Sequence, residues 1–151
     1  MIKVNKILCP TDFSEASYKA LELACSYADH FGADLILAHV VEPIPAAVAG
    51  GPEPAMAFDI SSYEKHLMEI NEEHIKKVVD ERTPDDINVK PMVVRGDPAD
   101  EILKIAGEEE ADLTVIAAKG HSMVRELLFG STAEKVIKHS KNPVLTVRGE
   151  E

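Results

Sequence analysis

The residues best suited to chemistry are two glycines near the C-terminus and the hydroxyl residues that follow the second one. Gly120 follows an apolar run, and Gly130 precedes Ser131 and Thr132 where a helix is predicted to begin. A glycine lets the main chain approach a ligand closely or take a positive φ, and the first N–H groups of a helix have no partner within it. These residues therefore predict a cradle for an anion. Further positive charge can come from Lys119, His121 and Arg125.

A simpler explanation fits the same residues. Gly130 can form a turn, after which Ser131 or Thr132 caps the helix through its side chain. The residues alone leave both interpretations open.

A second polar group follows the first apolar run of the chain. Pro10, Thr11 and Asp12 come directly after Lys6–Cys9, so Asp12 places a carboxylate where this strand is predicted to end. In doubly wound sheets, ligands bind beyond the carboxyl ends of the strands, where the strand order reverses. The Asp12 loop and the glycine segment are thus expected at the same edge.

The elements that must position these loops alternate between strand-like and helix-like patterns. This order predicts βαβ units around a parallel sheet, and the nearly continuous apolar runs are typical of strands covered on both faces. Strands are predicted at Lys6–Cys9, Leu35–Val41, Val89–Val94, Leu113–Ala118 and Val144–Val147. Helices are predicted at Ser14–Phe31, Ser61–Arg82, after the Asp97 cap, and from Ser131. Residues 42–59, rich in proline, glycine and alanine, predict a long loop, either a lid or a tolerated insertion.

Composition limits the function classes. The chain has 151 residues and a formal net charge of −11, so one domain is expected, and binding to nucleic acid or an anionic membrane is disfavoured. The sequence shows no membrane-spanning run and no signal peptide, which predicts a cytoplasmic protein. Cys9 and Cys25 lack metal or redox spacing and are interpreted as buried apolar residues. No metal site is expected from the six histidines.

Several motifs, taken in order, resemble the universal stress protein family. The segment from Ala117 through Gly120 to Gly130-Ser131 is similar to the family signature G-x-x-G-x9-G-[S/T], and Ile7–Glu15 is similar to its first-strand motif. Gly96-Asp97-Pro98 and the final strand also fit, so the resemblance covers nearly the whole chain.

This resemblance implies an α/β fold in which a five-stranded parallel sheet is doubly wound by four helices, Rossmann-like and similar to the adenine nucleotide alpha hydrolases. It also implies an adenine-nucleotide site, with ATP as the expected ligand and Mg as an accompanying ion. Adenine and ribose would contact Pro10, Thr11, Asp12 and Val40, with Asp12 accepting from a ribose hydroxyl. The phosphates would contact Gly120, His121, Ser122, Gly130, Ser131 and Thr132. A homodimer is implied through Val144, Leu145, Thr146 and Val147.

One departure from the signature concerns Ala117, which stands at the first glycine. Its methyl group costs about 1 kcal/mol if the position needs a positive φ, and only local crowding if φ is negative. Two alternatives to a nucleotide-binding stress-response module thus stay open. One is a relative that has lost the nucleotide and acts through protein contacts; the other is a slow ATPase, although the sequence has no Walker motif.

Overall fold

The computed structural model describes residues 1–45, 59–120 and 128–149. Within these ranges the chain forms one parallel sheet with the strand order β3-β2-β1-β4-β5. The strands are β1 Lys6–Pro10, β2 Asp34–Val41, β3 Val89–Arg95, β4 Leu113–Ala117 and β5 Val144–Val147. The helices are α1 Glu15–Phe31, α2 Ile60–Arg82, α3 Pro98–Glu108 and α4 Ser131–His139. The predicted five-stranded α/β architecture is confirmed.

Two apolar layers lie on opposite faces of the sheet. On one face, Ile7 and Leu35 pack with residues of α1 and α2, including Ile75. On the other, Leu8 and Ile36 pack with residues of α3 and α4. Neighbouring residues of a strand point to opposite faces, so a strand covered on both sides needs apolar residues at every position. The continuous apolar runs of β1 and β2 have this cause.

The predicted caps of α1 and α3 are confirmed. The Ser14 side chain accepts from Ser17 N, and Gly32 ends α1 with φ 64°. Asp97 accepts from Asp100 N at the start of α3, with Pro98 in the first turn. These local signals depend on hydrogen bonds within one turn, which is why the sequence reveals them.

The apolar stripe predicted along α2 is only partly buried. Ile75 and Val78 lie in the core, whereas Tyr63 is 42% exposed and Ile70 is 47% exposed. An α-helix turns by about 100° per residue, so Tyr63 and Ile70 lie roughly 100° round the helix from the side that carries Ile75 and Val78. Their side of α2 therefore faces away from the core.

Both cysteines are buried and free, as expected of small apolar residues. Burial raises the pKa of Cys25 to about 11 and raises the pKa of Cys9 further. Both thiols are therefore protonated at neutral pH. No described helix is long and apolar enough to cross a membrane.

Three sequence-based predictions lie outside the described residues. They are most of the 42–59 loop, the positive charge of His121 and Arg125, and the phosphate contacts of His121 and Ser122.

Candidate functional site

A cleft lies where the strand order reverses, beyond the carboxyl ends of β1 and β4. The chain builds β1, β2 and β3 in one direction and then returns to add β4 and β5 on the other side of β1. The cleft has a volume of about 460 Å³. The predicted site residues that line it are Pro10, Thr11, Asp12, Val40, Ala117, Gly120, Gly130, Ser131 and Thr132. All predicted nucleotide-contact residues in the described ranges thus line one cleft.

Several further residues line this cleft. Pro98 and Ile102 of α3 form part of its apolar wall, and His39 and Glu42 lie near the end of β2. The Asp97-Pro98 pattern predicted where α3 starts, but not that this helix lines the cleft. In the structure α3 packs with α4 in one apolar cluster on the same face of the sheet.

Asp12 and Gly120 lie in direct contact across the cleft floor. Asp12 Oδ1 accepts from the main-chain N–H of Ser14 at 3.0 Å. A Cβ added to Gly120 would overlap Asp12 Oδ2 and would lie 3.1 Å from Asp12 Cγ. Real Cβ atoms do not approach that closely, so a residue larger than glycine at this position would displace the Asp12 carboxylate.

Gly130 is the N-cap of α4 and has an ordinary conformation. Its φ is −69° and its ψ is 162°, and as a glycine it has no side chain with which to cap the helix. Its N–H donates to Ala118 O at 2.7 Å, which ties the helix start to the end of β4. The alternative interpretation, in which Ser131 or Thr132 caps the helix, is wrong, because both residues lie inside the helix and Gly130 is the N-cap.

The start of α4 therefore opens towards the cleft. Ser131 and Thr132 are the first helical residues and both line it. The N–H groups in the first turn of a helix find no acceptor within the helix, and the helix dipole adds partial positive charge there. This arrangement suits an anion, as predicted.

Ala117 takes its place in β4 without strain. It pairs with Val147 and is buried. The non-glycine residues with positive φ among the described ranges are Phe13 and Glu110, so Ala117 has a negative φ. Of the two costs expected from its methyl group, only crowding of the cleft applies.

Thr11 is fixed by contacts within the protein. Its Oγ1 lies 2.8 Å from Ser17 Oγ and accepts from Phe13 N at 3.0 Å. His39 Nδ1 lies 2.8 Å from Thr11 O, and because a carbonyl only accepts, Nδ1 carries the proton. Burial lowers the pKa of His39, which favours the neutral ring. His39 is thus packed and bonded to the loop after β1, and Thr11 helps to shape the cleft.

Val40 directs main-chain groups into the cleft. Alternate residues of a strand point their N–H and C=O to the same side, and Ala38 O accepts from Thr11 N on the β1 side. The main-chain N–H and C=O of Val40 therefore also point to the β1 side. The pairing of β1 with β2 ends at Pro10 and Ala38, so the Val40 groups face past the end of β1.

Known proteins share this architecture. The family model described as "Universal stress protein family" matches residues 3–148. The chain belongs to the universal stress protein family. Universal stress protein MJ0577 of Methanocaldococcus jannaschii is 31% identical over 157 residues, which cover 97% of this chain and 96% of that protein.

Solved structures support the same assignment. The structure of hypothetical protein MJ0577 has a TM-score of 0.84, 30% identity and 99% coverage of both chains. A universal stress protein in complex with cAMP has a TM-score of 0.61 and 24% identity, and covers 97% of this chain and 98% of its own. At that identity the likeness establishes a common fold.

Proposed function

We propose that this universal stress protein binds an adenine nucleotide, with ATP as the expected ligand, and acts as a dimeric stress-response module in the cytoplasm. The observation that carries this proposal is the cleft at the strand-order reversal, which has the open N-terminus of α4 on one side and Asp12 on the other. An anion-binding helix start and a hydrogen-bond acceptor suit the two ends of a nucleotide. A universal stress protein of the same fold is solved in complex with cAMP, which agrees with the proposal of an adenine nucleotide as the ligand.

The base end of the cleft suits adenine. Val40 offers one main-chain donor and one acceptor beyond the end of β1. The edge of adenine presents a ring-nitrogen acceptor beside an amino donor, which complements this pair. Uracil presents an N–H donor between carbonyls, which reverses the order of donor and acceptor, so it would need a different placement to bond the same two groups. Pro10 and Ile102 supply apolar surface nearby.

The phosphate end is formed by the α4 start. Gly130, Ser131 and Thr132 line this part, with Gly120 directly beside Gly130. The global charge of −11 does not oppose binding strongly, because distant charges are screened within about 10 Å at 0.1 M salt. Donors at contact distance decide the affinity.

The direct test is the melting temperature of the purified protein with ATP and Mg²⁺. A ligand at 100 times its Kd stabilises the folded state by about 2.7 kcal/mol, and for a chain of this size each 1 kcal/mol raises Tm by roughly 2–4 °C. We expect a rise of about 5–10 °C for ATP and a smaller one for AMP, which lacks the outer phosphates. UTP is the matched control with the same ribose and phosphates. No shift on folded protein, or equal shifts with ATP and UTP, would contradict adenine-nucleotide binding.

The proposed homodimer rests on a difference between the two edge strands. On β3, Asn88 O accepts from β2, so the outward groups belong to alternate residues that include Pro91, which has no N–H. On β5, Val147 O accepts from Ala118, so Val144 and Thr146 point outward. Proline protects an edge against pairing, whereas β5 keeps its donors. The proposed interface is therefore Val144–Val147.

Thr146→Pro removes one outward donor of β5 and leaves the bonds to β4 in place. We expect light scattering to report a dimer for the parent at micromolar concentration and mostly monomer for the variant. Thr146→Val, which keeps the N–H, should remain a dimer. A monomeric parent would refute the interface.

Hydrolysis is a separate question from binding. Among the described residues, no group of three or more His, Cys, Asp or Glu side chains is arranged to hold a metal ion. We propose binding without efficient turnover, with slow hydrolysis as the second candidate. ADP formation by the purified protein with ATP and Mg²⁺ over hours distinguishes the two.

A further inference from the structure

Phe13 adopts a main-chain conformation that is unfavourable for its side chain. Its φ is 63°, in the left-handed region where glycine is the usual residue. A residue of this kind persists only where its surroundings hold it, and such residues concentrate at functional sites. Phe13 directly follows Asp12, the carboxylate of the cleft.

Contacts from three elements hold Phe13 in this conformation. Its N–H donates to Thr11 Oγ1 at 3.0 Å. Its ring lies between the rings of His39 and His74, at centroid distances of 4.3 Å and 3.9 Å. His39 belongs to β2 and is fixed by its bond to Thr11 O, whereas His74 belongs to α2. We call this set of three rings the aromatic column.

The conformation of Phe13 determines where Asp12 points. The left-handed turn brings the Ser14 N–H back onto Asp12 Oδ1, at 3.0 Å. Ser14 Oγ donates to the same oxygen at 2.5 Å. With Oδ1 held in this way, Oδ2 lies against Gly120. The carboxylate thus has a defined orientation in the cleft rather than a choice of rotamers.

We propose that Phe13, clamped in the aromatic column, is a positioning residue that orients Asp12 and thereby selects nucleotides with ribose hydroxyls. This inference rests on the proposed function, because the hydroxyl acceptor is Asp12. It extends that function by linking α2, through His74, to recognition of the sugar. A ring that merely fills space would affect stability but would leave the discrimination between sugars unchanged.

The binding test compares ATP with 2′,3′-dideoxy-ATP by calorimetry. A hydrogen bond to a charged group contributes about 1.5–3 kcal/mol, so the parent should prefer ATP by roughly 10-fold or more. In Asp12→Asn this preference should fall to a few-fold at most. Phe13→Gly removes the ring and can adopt the positive φ without strain, so the fold should survive, but glycine has equal access to other conformations and the turn that orients Asp12 is no longer fixed. We expect its preference to fall towards that of Asp12→Asn, with the Kd for dideoxy-ATP within about 2-fold of the parent.

Phe31→Ala is the matched control, since it removes another aromatic ring that stacks, on Tyr27, at the far end of α1. It should keep the parent preference. A Phe13→Gly protein that also keeps the parent preference would overturn the proposal.

A measurement without nucleotide separates this inference from the proposed function. Hydrogen exchange of the Ser14 amide reports whether Asp12 stays in place, because Asp12 Oδ1 accepts that N–H. We expect exchange in Phe13→Gly to be at least about 10-fold faster than in Phe31→Ala, after correction for global stability. If ATP does not bind the parent but Ser14 loses protection, the proposed function fails and the positioning role stands. If Ser14 protection is unchanged, the positioning role is wrong.

The link to α2 is tested at His74. His74→Phe keeps a ring on Phe13 and should preserve the preference for ATP over dideoxy-ATP. His74→Ala removes the ring and should reduce that preference by a smaller factor than Phe13→Gly does, because His39 still holds the other face. Equal behaviour of the two His74 variants would exclude a contribution from α2.

Discussion

Gly120 and Gly130 lie next to each other in the same cleft, since Gly120 N is 4.0 Å from a Cβ added to Gly130, yet the structure constrains them in different ways. At Gly120 a Cβ would overlap the Asp12 carboxylate. At Gly130 the nearest atom to an added Cβ is Ala118 O at 3.6 Å, an ordinary contact, and φ is −69°. The protein itself thus favours glycine at position 120. At position 130 it does not, so we attribute that glycine to the approach of a ligand.

This difference separates two reasons for a glycine in a binding loop. One is the packing of the protein against itself, and the other is the packing of a ligand against the protein. Variants at the two positions should therefore have different effects on stability and on binding, and a third variant, at Ala117, tests the remaining position of the signature.

Gly120→Ala should have the largest effect. Overpacking of this kind typically costs about 1–3 kcal/mol, and displacement of Asp12 should also abolish stabilisation by ATP. Urea denaturation and calorimetry measure the two losses. The double variant Gly120→Ala with Asp12→Ala removes the overlapping carboxylate, so stability should largely return while binding stays lost. Additive losses of stability in the double variant would show that the contact with Asp12 is not the cause.

Gly130→Ser should affect binding much more than folding. Serine is at least as good an N-cap as glycine, so the free energy of unfolding should stay the same or rise by a few tenths of a kcal/mol. Its side chain adds bulk at the proposed phosphate site, and we expect ATP affinity to fall by about 10-fold or more, or roughly 1.4 kcal/mol. Gly149→Ser, where an added Cβ meets nothing within 4 Å, is the control.

A bulkier change at position 130 completes this comparison. Gly130→Val should abolish ATP stabilisation with only a modest loss of stability in the free protein, because the native φ is negative. If either variant at position 130 binds ATP as tightly as the parent, Gly130 only forms a turn and the phosphates bind elsewhere.

Ala117→Gly should have the smallest effect. Glycine inside a strand costs roughly 0.5–1 kcal/mol of stability, while removal of a methyl group from the cleft should leave ATP affinity equal or a few-fold higher. Calorimetry on the folded variant measures the affinity. A clear loss of affinity would show that the Ala117 methyl group contacts the nucleotide favourably, and that the departure from the signature is an adaptation.

Much of the fold follows from local sequence signals. The apolar runs located the five strands to within about a residue, and Ser14, Gly32 and Asp97 marked helix ends correctly, because caps depend on hydrogen bonds within one turn. The alternation of elements fixed the α/β class, and the loops after β1 and β4 met at one cleft as expected. Predictions from the sequence failed where contacts between distant parts of the chain decide which residues are buried. The apolar residues Tyr63 and Ile70 on α2 are exposed because the side of the helix that packs on the sheet carries Ile75 and Val78, and they lie about 100° round the helix from it.

The sequence by itself determined which residue types reach the cleft: a carboxylate at Asp12, the glycines at 120 and 130, and hydroxyls at the start of the last helix. The tertiary structure decided what each one does there. The N-cap of α4 falls on Gly130 because Ala118 O, from another element, accepts its N–H, and Gly120 is glycine because Asp12 packs against it. Phe13 takes its left-handed conformation between two histidines that lie 35 residues apart in the chain. Contacts between residues so far apart leave no periodic pattern in the sequence, since they depend on how the strands and helices are placed in space.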